Sequence, residues 1–252
     1  MKEVLKYTLI VAAILFIGVM SVILVLKIRV KVDEGPTPTP AVTVTIQPTK
    51  TPTPTTTSTP EITNIPESAS ITVPFTTQAP LANWDALHQE ACEEASLIML
   101  KHFKYKSAIG TKDEVETQIH ELVDWETVNG YKIDVTASEL KDIASTHYGM
   151  KTGRIGTATL DNIKKEIANG RPVIIPAAGR MLDNPNFTGA GPVYHMLVIK
   201  GYDKDGFITN DPGTRKGEGF RYTFDNLINA IHDWNQTGSK IADGKKVYLV
   251  FD

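Results

Sequence analysis

The chain has a single cysteine, Cys92, in the run QEACEEASLIML. With one thiol no intrachain disulfide forms, so the residue is either a small buried hydrophobe, the ordinary fate of a free cysteine, or a reactive group. Position favours reactivity. Cys92 falls where an apolar-periodic helix begins, and the unpaired N–H groups and dipole of a helix start stabilise a thiolate. Glu93 and Glu94 suit a first helical turn but would oppose that charge if they pointed at the sulfur, so both are expected to face away. A cysteine that attacks a carbonyl also needs an imidazole brought near by the fold. His88, His102, His120, His147 and His232 sit in polar or helical contexts where facing solvent is ordinary. His195 instead opens the apolar run HMLVIKGY after the turn at Gly191 and Pro192, and Asp211 ends the next run just before Pro212 and Gly213. If the two runs form a hairpin turning near Asp203 to Asp205, the start of one lies beside the end of the other, and His195 and Asp211 become neighbours. Each alone has an ordinary reading, a strand-initiating histidine and an acid at a turn. Together with Cys92 they have the base and orienter arrangement of nucleophilic catalysis.

The elements that must hold these residues are legible in part. Ile71 to Phe75 is short and β-prone, and Ala91 to Phe103 predicts a helix with Ala95, Ile98, Met99 and Phe103 on one stripe. Thr136 and Glu139 make a capping-box pattern that opens a second helix ahead of Leu140, Ile143 and Ala144. A third covers Leu160 to Asn169, stopped by Gly170. Strands follow at Arg171 to Ala177, His195 to Tyr202, Gly206 to Asn210 and Lys245 to Phe251, with a helix from Phe224 to Trp234 before the last. Helices come first and most strands later, so the expected class is α+β: a helical part carrying the Cys92 helix, packed on an antiparallel sheet.

The first quarter of the chain has another character. Tyr7 to Leu26 is an uncharged apolar run long enough to cross a bilayer as a helix. It exceeds the apolar core of a signal peptide, and no small-x-small cleavage site clearly follows, so an uncleaved anchor over residues 1–31 is the favoured reading. Residues 32–67 are dense in Thr and Pro, which reads as a disordered stalk able to extend on the order of 100 Å. Lys2 and Lys6 precede the apolar run and Lys27, Arg29 and Lys31 follow it, a count that does not favour an external C-terminus. The stalk composition leans the other way, toward a domain held outside the membrane. Residues 68–252 then form one folded domain. The net charge of -3, with acids and bases interspersed, argues against a nucleic-acid partner. One cysteine and six scattered histidines show no metal-ligand pair at helical or knuckle spacing, so neither metal nor cofactor is expected.

The domain resembles the C39-like peptidases, a branch of the papain-like superfamily, through VPFTTQAP from Val73, QEACEEAS, NGRPVIIP from Asn169 and YHMLVIKGYDKDGFITNDPG from Tyr194. The last motif is the most specific. The resemblance implies a papain-like fold, with Cys92 as nucleophile, His195 as general base and acid, and Asp211 orienting the imidazole. It also implies a glutamine that donates to the oxyanion with the cysteine N–H. Gln78 matches that pattern, fourteen residues before Cys92. Gln89, three residues upstream, is close for a side chain that must reach around the helix start, and Gln78 is preferred. Glu93 and Glu94 stand where many relatives have Gly and Pro. The implied activity is cofactor-free hydrolysis of amide bonds in a peptide or protein. Amidase or transpeptidase action would use the same residues, and the alternative is an inactive module that binds peptide or cell-wall polymer. GxxxxGK[ST] is absent, so a nucleotide-driven exporter role is not carried over.

Overall fold

The computed structural model describes residues 64–235 and 238–252. The expected membrane helix and nearly all of the Thr/Pro-rich stalk lie outside them. Among the described residues no helix is long and apolar enough to cross a membrane. The class is α+β, as expected.

Seven strands form one antiparallel sheet: β1 (Ala69–Ser70), β2 (Gly153–Thr157), β3 (Val173–Ala178), β4 (Tyr194–Asp203), β5 (Gly206–Asn210), β6 (Glu218–Tyr222) and β7 (Val247–Phe251). Six follow the order β2-β7-β3-β4-β5-β6, and β1 pairs with β4. The helices are α1 (Cys92–Lys104), α2 (Lys112–Val128), α3 (Ala137–His147), α4 (Leu160–Ala168) and α5 (Phe224–Ala230). β4 is central and divides the core by its period of two. Tyr194, Met196 and Val198 join Leu97, Met99 and Leu100 of α1 in one apolar cluster. Leu197 and Ile199 join Ile163 and Ile167 of α4 and Leu227 of α5 in another.

α1 is buried nearly all round, not along one stripe. Leu97 and Leu100 pack toward the sheet, Ile98 packs with Val115 and Ile119 of α2, and Phe103 is only partly covered. That is the pattern of a helix enclosed by other elements. α2 was not anticipated, although Val115, Ile119 and Leu122 form its buried stripe and Thr111 with Glu114 makes a capping box. The Thr136–Glu139 box opens α3 as expected. α4 ends before Gly170, whose φ of 77° accepts the left-handed turn.

Other boundaries moved for identifiable reasons. Beyond Ile71, whose N–H donates to Lys200 O, the expected strand to Phe75 runs without a ladder. The Val73 and Pro74 carbonyls accept from the Asn210 side chain instead. β3 starts at Val173 because the Arg171 N–H caps α4 at Glu166 O and Pro172 has no N–H to pair. α5 stops at Ala230 because the chain turns extended at Ile231, which bridges Ala177, and His232 N–H donates to Pro176 O. β2 and β6 were not anticipated.

Leu97 is fully buried where α1 meets the sheet. Leu97→Ala is expected to cost about 2–5 kcal/mol through lost transfer energy and a residual cavity. Urea unfolding should show a lower midpoint with an unchanged slope.

Candidate active site

β4 and β5 form a hairpin with Asp203 opposite Gly206. Its register slips by one between Ile199 and Gly201, so Lys200 is an extra residue in β4. Below the bulge Ile199 faces Thr209 and Val198 faces Asn210. Continued one step, that register sets Asp211 opposite Leu197, on the face that also carries His195. The His195 Nε2 is accordingly 2.7 Å from Asp211 Oδ1.

Asp211 is fully buried and well satisfied. Oδ1 also accepts from Gly213 N–H at 2.9 Å, while Oδ2 accepts from Tyr222 OH at 2.6 Å and Asn184 Nδ2 at 3.1 Å. Burial pushes the carboxyl up, but the His195 charge and these hydrogen bonds outweigh it, and the net shift is below the usual value. An ionised Asp211 only accepts, so Nε2 carries a proton, and in the neutral ring the lone pair is on Nδ1. Two glycines permit this crowding. A Cβ on Gly213 would meet His195 Cε1 and the Phe187 ring, both at 2.9 Å, and one on Gly217 would collide with the Asp211 carbonyl. Phe187 closes the other side of the imidazole edge-on, with ring centres 5.3 Å apart. Tyr222 and Asn184 were not singled out in the sequence, because their link to Asp211 crosses from β6 and from the loop after β3.

Cys92 is the first residue of α1, and its Sγ accepts the Met196 N–H at 3.3 Å. The thiol thus seats against β4 one residue along from His195. Its S–H, however, donates to Glu93 Oε2 at 2.9 Å. The expectation that Glu93 and Glu94 face away is therefore wrong for Glu93, and both are buried. Burial and then the Glu93 charge push the Cys92 thiol well up, against the smaller opposing effect of the Met196 N–H. Burial and the Glu94 charge push Glu93 up as well. Among the described residues the hydrogen-bond partners of Sγ are Glu93 and Met196, so it makes no hydrogen bond to His195, and the raised pKa favours the neutral thiol.

The two glutamines separate. Gln78 is buried, and its Nε2 donates to the His88 and Gln89 carbonyls at 2.8 and 3.0 Å, while its N–H donates to Pro212 O. It ties the segment after Asp211 to the turn before Cys92. Gln89 is exposed and bonds the Trp84 carbonyl. Both border a cleft of about 900 Å³ that includes His195, with Glu90 and Asp134 on its wall as well as Arg215 and Lys216, and aromatic contributions from Trp84 and Trp234. The histidines depart from the expected solvent-facing role: His88, His102 and His232 are buried.

Residues 70–242 match the Peptidase_C39 like family, and the chain belongs to that family. A crystal structure of a Bacillus anthracis protein described as a C39-like peptidase is similar at 19% identity and a TM-score of 0.47, covering 74% of this chain and 98% of that one. No curated protein is a significant match.

Near Cys92 lies a group of acids, Glu94 and Glu126 buried and Asp134 half-buried. Burial raises Glu94 to about 7 and, with the Glu94 charge and hydrogen bond, Glu126 to about 10. Burial and Glu90 raise Asp134 to about 6. A carboxyl raised in the folded state stabilises fully below its unfolded value, and that contribution is lost as pH rises through the folded value. For Glu94 the window runs from about pH 4.5 to 7. Glu94→Gln should therefore raise stability at pH 8 by on the order of 1 kcal/mol and leave it nearly unchanged at pH 4. Denaturant midpoints at the two pH values check the sign.

Proposed function

We propose that the protein is a cysteine peptidase that hydrolyses amide bonds of a peptide or protein, with Cys92, His195 and Asp211 acting as one unit. The observation that carries the reading is the hydrogen-bonded His195–Asp211 pair on the strand whose next N–H holds the Cys92 sulfur. Family membership supports the same reaction class. In this reading Nδ1 of His195 takes the thiol proton as Cys92 attacks the carbonyl, and the imidazolium returns a proton to the leaving amine. Water then releases the acyl group from the thioester. Because the thiol rests neutral, proton removal accompanies attack in place of a standing thiolate, and S–H must first turn from Glu93. The Cys92 N–H, at the helix start, and Gln78 are the oxyanion donors. For Gln78 this requires one amide hydrogen to leave the His88 or Gln89 carbonyl. The cleft suits an extended peptide, with carboxylates and cations spaced along its wall. The apolar run of Tyr7 to Leu26 anchors the chain, and the Thr/Pro-rich segment holds residues 68–252 outside the membrane; protease added to intact cells should then remove that domain.

A second reading, a silent module that binds peptide or cell-wall polymer, is favoured by one observation: the thiol is tied to Glu93 and raised above its ordinary range. Alkylation of Cys92 separates the two. The raised thiol predicts a rate whose pH midpoint lies above that of a free cysteine and moves down in Glu93→Gln. The peptidase reading adds that a substrate-like electrophile labels Cys92 quickly and that His195→Ala abolishes this advantage. A silent module gives equal labelling with and without His195.

Turnover tests the unit directly. Cys92→Ala should abolish hydrolysis, and His195→Ala should fall nearly as far. Asp211→Ala should lose roughly 10²- to 10⁴-fold, since a neutral thiol depends on a correctly held base. The Cys92 and His195 double variant should be no worse than Cys92→Ala. Undiminished hydrolysis by Cys92→Ala would overturn the assignment.

A further inference from the structure

We propose that His88, Glu116 and His120 form a binding site for a transition-metal dication of the zinc class, which fastens the turn leading into Cys92 to helix α2. Glu116 and His120 lie one helical turn apart on α2, and His88 comes from the turn before α1. One ligand atom from each of the three lies within 4.8 Å of the others. The His88 Nε2 is 3.0 Å, and the His120 Nε2 3.5 Å, from Glu116 Oε1. Metal bonds of about 2.0–2.2 Å in tetrahedral geometry place ligand atoms roughly 3.4 Å apart, close to the two separations from Glu116 Oε1.

The second observation is the state of His88. Its side chain is 1% exposed, and its Nε2 has no hydrogen-bond partner although Glu116 Oε1 is close. On the other side of the ring Nδ1 is 2.8 Å from Asp85 Oδ1, which also accepts the His88 backbone N–H at 3.0 Å. With the ring proton on Nδ1, facing the Asp85 carboxylate, Nε2 is a bare lone pair aimed at a second carboxylate. Glu116 Oε2 is likewise buried and unpartnered. Converging acceptors with no proton between them repel, and a cation relieves the repulsion. The Asp85–His88 contact is also the outer-shell carboxylate that metal-bound imidazoles usually have. Two imidazoles and one carboxylate select zinc and its neighbours over magnesium or calcium. His120 is 49% exposed, which leaves an entry path and room for a water ligand. Spacing of histidines alone did not reveal the set, because its helical pair is mixed, Glu116 with His120, and its third member is distant in sequence.

The turn in question is the one whose His88 and Gln89 carbonyls Gln78 holds. A bound ion would fasten the same turn to α2. The test uses the full chain carrying Cys92→Ala, so that the thiol cannot bind metal. Titration with zinc by calorimetry and with cobalt by visible absorption should show one equivalent, a four-coordinate cobalt spectrum and a higher melting temperature. His120→Ala should weaken binding at least tenfold without changing the metal-free melting temperature, and Asp85→Asn should weaken it about 10- to 100-fold. Absence of saturable binding up to about 1 mM would overturn the proposal. So would parent-like binding in both His120→Ala and Glu116→Gln; His88 would then be a doubly protonated ring between Asp85 and Glu116.

Discussion

Asp211 reaches His195 because β4 contains one residue more than the strand it pairs with. In the register of the hairpin turn, where Asp203 faces Gly206, Asp211 would stand opposite Val198 and point to the face of α1. The extra residue at Lys200 shifts the pairing by one and turns Asp211 to the face of His195. A strand has only two faces, so a single inserted residue decides whether the imidazole has a carboxylate or an apolar neighbour. The surrounding elements follow from that placement. Tyr222 and Asn184 converge on the second carboxylate oxygen, and Gly213 and Gly217 clear the space the crowding needs.

The opposite wall is built against electrostatic cost. α1 enters the core at its N-terminus and carries Glu93 and Glu94 inside with Cys92, where Glu126 already lies. Burial raises each of these carboxyls. The same burial favours the neutral thiol. A helix start favours a thiolate, yet burial and an adjacent acid are the larger effects here. In the proposed reaction, attack by Cys92 would therefore depend on a base at that moment.

Gln78 joins the two walls. Its backbone N–H holds the chain just after Asp211, and its side chain holds the turn just before Cys92. One residue thus ties the hairpin to the helix, and the His88 cluster meets the same turn.

Several features follow from short stretches of sequence. The start of α1 at Cys92, the capping box of α3, the stop of α4 at Gly170 and the β4–β5 hairpin are local, written in propensities, caps and alternation that act within a few residues. The pairing of His195 with Asp211 was legible because a hairpin relates its ends by simple counting, although the count did not reveal the face. α2 is legible too, in the stripe of Val115, Ile119 and Leu122. What only the tertiary structure decided is non-local: the bulge that selects a face, the direction of Glu93, the arrival of Tyr222 and Asn184 at Asp211, and the meeting of His88 with Glu116 and His120. The bulge acts through long-range register, and the others through burial. Desolvation and packing depend on what the rest of the chain places around a side chain, and no short window of sequence contains that.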